Sequence, residues 1–431
     1  MTTPLIRRLQ KLFPELPFVQ VEHDPLNWTF TESIKKLGPE FYRKIIPLHL
    51  VLNLEYSLLG QQLRTKFLTQ QVINSNALIK ELITALMMAE LLEHIYQYYL
   101  IVPREVIRLR QQQELYRQLL AEVIMIAPTK EITQVNVGLA FSQQVRTATV
   151  NANLYRLLLI RSKRALDLIM ILDTGSEKYR YFVQTLDKYT DPVLAHLSWI
   201  FFLPRLSVNL FLLLKHTIPG DWMEEKENSL GWSVRFNAQI QRRWFELGND
   251  INWFTAGFIN CFWLTGVLAP IGMYLSLTCF ALDVVLSATR VYIELKRLHD
   301  LHKQYTHMLC QPSTVEEKNE IKEHLKTIEN QILFEQLRFG SHLLTTIGIF
   351  LSMACAIPLF PVNPVIPVVG AICLVLICFI NFALVHVINE HRPQDTIEFS
   401  SGVTRLGFFS KKEQEKVEVA EVVPENQLCC T

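Results

Sequence analysis

Apolar and polar positions follow two regimes along this chain. Through the first 190 residues, apolar side chains recur at threes and fours between charges, the period of an amphipathic helix. In REVIRLRQQQELYRQLLAEVIMIA, between Pro103 and Pro128, the stripe is Val106, Leu109, Tyr116, Leu120, Val123 and Ala127. ALIKELITALMMAELLEHIYQYYLIV (77–102) is more apolar but keeps Lys80, Glu81, Glu90 and Glu93, which predicts a buried bundle helix and not a membrane span. ANLYRLLLIRSKRALDLIMIL (152–172) continues the pattern, and strand-like alternation is scarce. The predicted fold class is all-α, with residues 1–190 forming a cytoplasmic helical bundle of coiled-coil character.

The second regime is nearly free of charge. Residues 251–282 are 32 in a row without Asp, Glu, Lys, Arg or His. As one helix they would run about 48 Å against a hydrocarbon core of about 30 Å, so either they span tilted or Ala269-Pro270-Ile271-Gly272 divides them. Residues 339–389 lack Asp, Glu, Lys and Arg altogether, and Pro358, Pro361, Pro364 and Pro367 interrupt their middle. That spacing predicts a transmembrane hairpin with a proline-rich tip. A third block, PVLAHLSWIFFLPRLSVNLFLLL (192–214), carries Arg205 near its centre, which fits a marginal span whose Arg faces other helices, or an interfacial segment. About four transmembrane helices are expected. The expected divisions are a first membrane region at 191–295, an amphipathic helical connector at 296–338, the hairpin at 339–389 and a disordered acidic tail at 390–431.

Polar residues inside these tracts are the first candidates for chemistry. Arg205, Asp283 and Arg290 would be intramembrane charges; Asp283 and Arg290 read first as cap and snorkelling side chains near a helix end, and otherwise as groups that pair with other helices or mark a transport pathway. Asp250, in GNDINWFTAGF, reads as a helix-start cap at the edge of the apolar tract. Basic residues of the 290–340 connector place it in the cytoplasm. Its apolar positions Ile321, Leu325, Ile328, Ile332 and Leu333 should pack on the bundle or on a second copy.

Composition narrows the field further. Residues 1–200 hold 23 Lys and Arg against 18 Asp and Glu, an excess too small and dispersed for nucleic-acid binding. The eight cysteines show no CxxC pairing, and five of them lie in apolar blocks, as small hydrophobes do. Two local patterns suggest catalysis or metal binding. ILDTGS (171–176) resembles the active-site loop of aspartic proteases, with Asp173 as the acid, but that loop needs an all-β frame and a second copy. Gly175 and Ser176 fit better as the end of one helix and the cap of the next. HDLHKQYTHMLC offers His299, His302, His307 and Cys310, two i,i+3 pairs about 12 Å apart, which one straight helix cannot close around an ion about 2 Å from each ligand, whereas a bend or a dimer could. No phosphate-binding loop or nucleophile elbow is present, and no cofactor is expected.

DPVLAHLSWIFFLPRLSVNLFLLLKH together with RRWFELGNDINWFTAGFINCFWLTGVLAP resembles a group of uncharacterised coiled-coil, multi-pass membrane proteins of intracellular gammaproteobacterial pathogens. The likeness covers roughly residues 190–300. It implies an effector exported by a type IVB apparatus that reads acidic C-termini, which the tail EQEKVEVAEVVPENQLCCT resembles. The resulting expectation is a non-enzymatic protein in the bacterial inner membrane or, if exported, in a host membrane. Its partners would be the lipid bilayer, a protein, and in a homo-oligomer a second copy. The alternatives are a small transporter or channel using the intramembrane charges, and the Asp173 protease.

Overall fold

Pro4 opens the first helix, α1 (Pro4–Leu12), where its missing N–H is no loss, and the Thr3 hydroxyl caps the turn by accepting from the Ile6 amide. In this computed structural model the described residues are 3–14, 29–69, 75–123, 176–264, 266–355 and 365–393, with scattered positions between 144 and 170. Among them there are helices and no strand, so the chain is all-α.

Short helices α2 (Thr31–Lys35) and α3 (Pro39–Ile45) lead into three long ones: α4 (His49–Thr69), α5 (Ser75–Tyr98) and α6 (Pro103–Val123). α5 is the centre of this N-terminal bundle, and Leu82, Leu86, Met88, Leu91, Leu92 and Ile95 on it are all buried. Its three glutamates tolerate that position because each has a basic partner. Lys66 donates to Glu81 at 2.6 Å, Arg117 to Glu90 at 2.7 Å and Arg110 to Glu93 at 2.6 Å. Glu90 also accepts from the Phe30 amide at 2.7 Å and so fixes the entry of α2. On α6 the predicted stripe holds at Val106, Leu109, Tyr116 and Leu120, which are buried; Val123 is half-buried, and Ala127 lies outside the described residues.

Ser176 caps α7 (Glu177–Ile200), accepting from the Tyr179 amide, as its sequence context predicts. α8 (Phe202–Thr217), α9 (Glu225–Asn228) and α10 (Trp232–Phe262) follow. Gly231 precedes α10 with φ 78° and ψ 150°, a conformation nearly closed to residues with a Cβ. No atom lies within 4 Å of where that Cβ would stand, so backbone strain alone decides the outcome of a substitution. Gly231→Ala should therefore lower the unfolding free energy by about 1–3 kcal/mol in a denaturant titration; no change would mean that the backbone relaxes freely there.

After a 3-10 turn at Gly266–Leu268 come α11 (Ala269–Leu309), α12 (Val315–Cys355) and α13 (Val365–Glu390). α11 and α12 are antiparallel, each 41 residues or about 60 Å long. Thr314 and Glu317 form a capping box at the start of α12, each side chain bonding the other's amide. The chain-terminal half of α11 and the first half of α12 run into the N-terminal bundle. There Leu301, Tyr305, Met308, Ile321, Leu325 and Ile328 share a core with Leu58 of α4. At their other ends Ile349 and Met353 of α12 meet Leu374 of α13, with Leu277 and Phe280 of α11 against them.

Among the described residues three helices are long and apolar enough to cross a membrane, not the expected four. The reason is local. The 251–282 tract does divide, but at Trp263–Leu268, so residues 251–262 are only the end of α10, which carries Arg235, Arg242, Arg243, Glu246 and Asp250 upstream. The 192–214 block is split between α7 and α8 and keeps Arg205. The three remaining candidates lie at 270–309, 315–355 and 368–388, and only 17%, 28% and 24% of their most apolar windows is buried. Val285, Leu344, Leu351, Leu376, Phe379 and Ile380 are among the large side chains left exposed on them. The tip of the 339–389 hairpin lies outside the described residues.

Candidate functional site

The polar residues among the apolar helices were the sequence's strongest pointers to function, and the structure pairs them helix to helix. Asp250 is not a cap. α10 begins far upstream at Trp232, and Asp250 lies in its middle, fully buried. Its carboxylate accepts from Arg205 Nε of α8 at 2.8 and 3.0 Å and from Nη2 of the same guanidinium. One turn along, Asn209 donates to Glu246 at 3.2 Å, so α8 and α10 are joined at two successive levels.

Asp283 of α11 is 2% exposed. Asn252 Nδ2 donates to it at 3.0 Å and Trp253 Nε1 at 2.7 Å, both from α10. Asn252 also reaches the Cys279 carbonyl at 2.9 Å. Asp283 and Arg290 do not pair. Arg290 instead lies 4.4 Å from the ring centre of Phe245 and 5.5 Å from that of Phe339, an arrangement that suits a guanidinium next to aromatic faces. Thr345 of α12 donates to Asn381 of α13 at 3.2 Å. Close approach supports these contacts at Gly272, where an added Cβ would come within 2.6 Å of the Asn260 side chain.

Along α11, Ala269 to Asp283 is about 21 Å and Ala269 to Arg290 about 31 Å. Arg290 therefore stands one hydrocarbon thickness from the turn at the opposite end, and Asp283 well inside that distance. In hydrocarbon, unpaired polar groups are costly and hydrogen bonds between helices serve as glue. Arg205, Asp250, Asn209, Glu246, Asn252, Trp253, Asp283, Thr345 and Asn381 each bond a neighbouring helix, while the side-chain oxygen of Asn260 is buried without a hydrogen-bond partner. The arrangement can hold helices in register, and the charges it contains are occupied in doing so.

The other candidates are not brought together. His299 Nδ1 lies 2.7 Å from the Leu295 carbonyl, His302 Nε2 3.2 Å from Glu329, and His307 Nδ1 3.5 Å from Gln311, while Cys310 is exposed. Among the described residues no group of three or more His, Cys, Asp or Glu side chains converges as metal ligands would. Asp173 lies outside the described residues. The helices that the structure does describe offer no all-β frame for a protease loop.

A second polar cluster, unmarked in the sequence, sits where α1 meets α4 and α11. Glu55 is fully buried and accepts from Arg8 and, at 3.1 Å, from the Tyr305 hydroxyl. Arg8 Nε donates to Gln304 at 2.6 Å. Burial pushes the Glu55 carboxyl above its ordinary range, against the pull of Arg8 and Tyr305. The only trace of this cluster in the sequence is an Arg and a Glu inside otherwise apolar stripes, which cannot be matched without the fold. Comparison with family models, curated proteins and solved structures gives no match.

Proposed function

We propose that the chain is a non-enzymatic integral membrane protein that presents a helical interaction domain at the membrane surface. The observation that supports this most is the continuity of α11 and α12. One end of each is apolar with most of its residues short of full burial, while the other end enters the core beside Leu58. No flexible linker separates the two ends, because each is one unbroken helix. The bundle is thereby held at a fixed height and orientation, as suits a docking platform. In this reading α8 and the end of α10 are embedded alongside α11, with Asp250 in place of a lipid-facing charge for Arg205. The bundle ends of α11 and α12 pack in coiled-coil fashion.

The resemblance to type IVB effectors supports, under the same proposal, either residence in the bacterial inner membrane or, if the chain is exported, insertion in a host membrane. A transporter is disfavoured because Arg205, Asp283 and Arg290 are engaged with Asp250, with Asn252 and Trp253, and with two aromatic rings. Fractionation of producing bacteria and of infected cells tests the reading. A tagged chain should sediment with membranes, resist alkaline carbonate and dissolve only in detergent. Recovery as a monomer in aqueous buffer would overturn the proposal, and solute flux in liposomes that disappears in Asp283→Asn would replace it with the transporter.

A further inference from the structure

Each of the three candidate spans passes from apolar to charged sequence beside an arginine: Arg290 on α11, Arg338 on α12 and Arg392 just beyond α13. On their apolar side, over 270–289 and 339–389, the only Asp, Glu, Lys or Arg is Asp283. The fold gathers these borders around Phe339, which is 8% exposed. The Arg290 guanidinium lies 5.5 Å from its ring centre and that of Arg338 4.5 Å, so the two cations stand within about 10 Å of each other. Arg290 is also 4.4 Å from the ring centre of Phe245. The charges of Arg290 and Arg338 both reach the half-buried His342 ring, and those of Arg338 and Arg392 reach the Glu335 carboxylate.

Two carboxylates face this cluster, and both are engaged. Glu335 lies 2.7 Å from Arg338 and accepts from Gln331 at 3.0 Å, and Glu294 accepts from Arg297 at 2.9 Å. Among the described residues Arg290 and Arg392 have no carboxylate within 4 Å, and the His342 ring has no hydrogen-bond partner. The two phenyl rings take up the faces of the Arg290 guanidinium and leave its N–H edge. Like charges held this close repel one another until an anion stands between them. The donors come from three separate segments, α11, α12 and the chain beyond α13. A phosphate monoester presents three terminal oxygens to such a set, where a carboxylate has two for a single fork.

We infer that Arg290, Arg338, His342 and Arg392 form a binding site for a phosphate group, carried by an anionic phospholipid or free in solution. The lipid source rests on the membrane reading above, where basic side chains between spanning helices hold headgroups. Purified full chain in neutral detergent is titrated with dioctanoyl phosphatidic acid, and adducts are counted by native mass spectrometry. One lipid should bind per chain. Arg290→Gln should weaken binding about tenfold, the loss of a charged hydrogen bond. Arg392→Gln, exposed beyond α13 and outside the packing, should weaken it about threefold. Lys322→Gln, which removes an equal charge from an exposed position elsewhere on α12, should change nothing. Inorganic phosphate that leaves the lipid bound assigns the site to a headgroup, and displacement at equal concentration assigns it to free phosphate. Unaltered affinity in either arginine variant, or an equal loss in Lys322→Gln, overturns the site. Carbonate extraction of the same chains judges the membrane reading separately. A chain that stays in the membrane while failing the arginine tests overturns the site alone. A soluble chain with arginine-dependent binding of inorganic phosphate overturns the membrane reading alone.

Discussion

Asp250→Ala should cost about 3–5 kcal/mol of folding stability, because it leaves the Arg205 guanidinium charged, buried and without its counter-ion. Asp250 is fully buried and receives two nitrogens of that guanidinium, so no neighbouring water shell can replace it at low cost. Truncating Arg205 should be of similar size, since the Asp250 carboxylate is then stranded. Removing both charges is a different experiment. Arg205→Met with Asp250→Leu fills similar volume with apolar atoms, and buried pairs replaced in this way commonly lose little. The double variant should stay within about 1 kcal/mol of the parent, read as the midpoint of thermal unfolding in detergent. A single Asp250→Ala variant as stable as the parent would remove the ion pair from the account of how α8 and α10 hold together. A double variant as damaged as either single one would show that specific geometry, not charge compensation, matters at this level.

That pair also shows how far the sequence can be read. An Arg in the middle of PVLAHLSWIFFLPRLSVNLFLLL demands an opposite charge, and Asp250 is the last acid before 32 uncharged residues. Both facts are visible in the sequence, but joining them requires knowing that α8 lies antiparallel to α10. The all-α class, the α6 stripe and the Ser176 cap follow from period and local hydrogen bonding, which are short-range properties. The division of 251–282 was legible as an alternative, since Pro270 marks it, but its position at Trp263–Leu268 depends on how α10 ends. The number of candidate spanning helices among the described residues falls below the expected four for a related reason. A charge-free run measures where charges stop, and α10 enters its run with charges still on the same helix. Glu55, Arg8 and Tyr305 come from three distant parts of the chain, and no spacing relates them.

Acidification should destabilise the N-terminal bundle through His49 and His94. Both are buried, at 0% and 6% exposure. Burial lowers each ring's pKa to about 4 from 6.5, with Arg242 and Arg297 adding to the effect at His49, and Lys226 and Lys35 at His94. His49 Nδ1 lies 2.7 Å from the Ile46 carbonyl, which opposes the fall only in part. His94 is packed among the rings of Tyr42, Tyr98 and Tyr99. A depressed folded-state pKa means that the unfolded chain takes up the proton first. The stability from each His is therefore complete above pH 6.5 and is lost as pH falls through about 4, in all about 3 kcal/mol apiece. Glu55 and Glu81 work in the opposite sense. Burial raises both, so their contribution is complete below about 4.5 and declines as pH rises through their folded-state values. The histidines carry the acid limb, and His94→Phe, which keeps a ring against the three tyrosines, should remove about half of their share of it. Denaturation midpoints taken in detergent from pH 7 down to pH 4 measure that slope directly. A His94→Phe variant whose midpoint falls with pH as steeply as the parent's would mean that His94 already takes up its proton in the folded bundle.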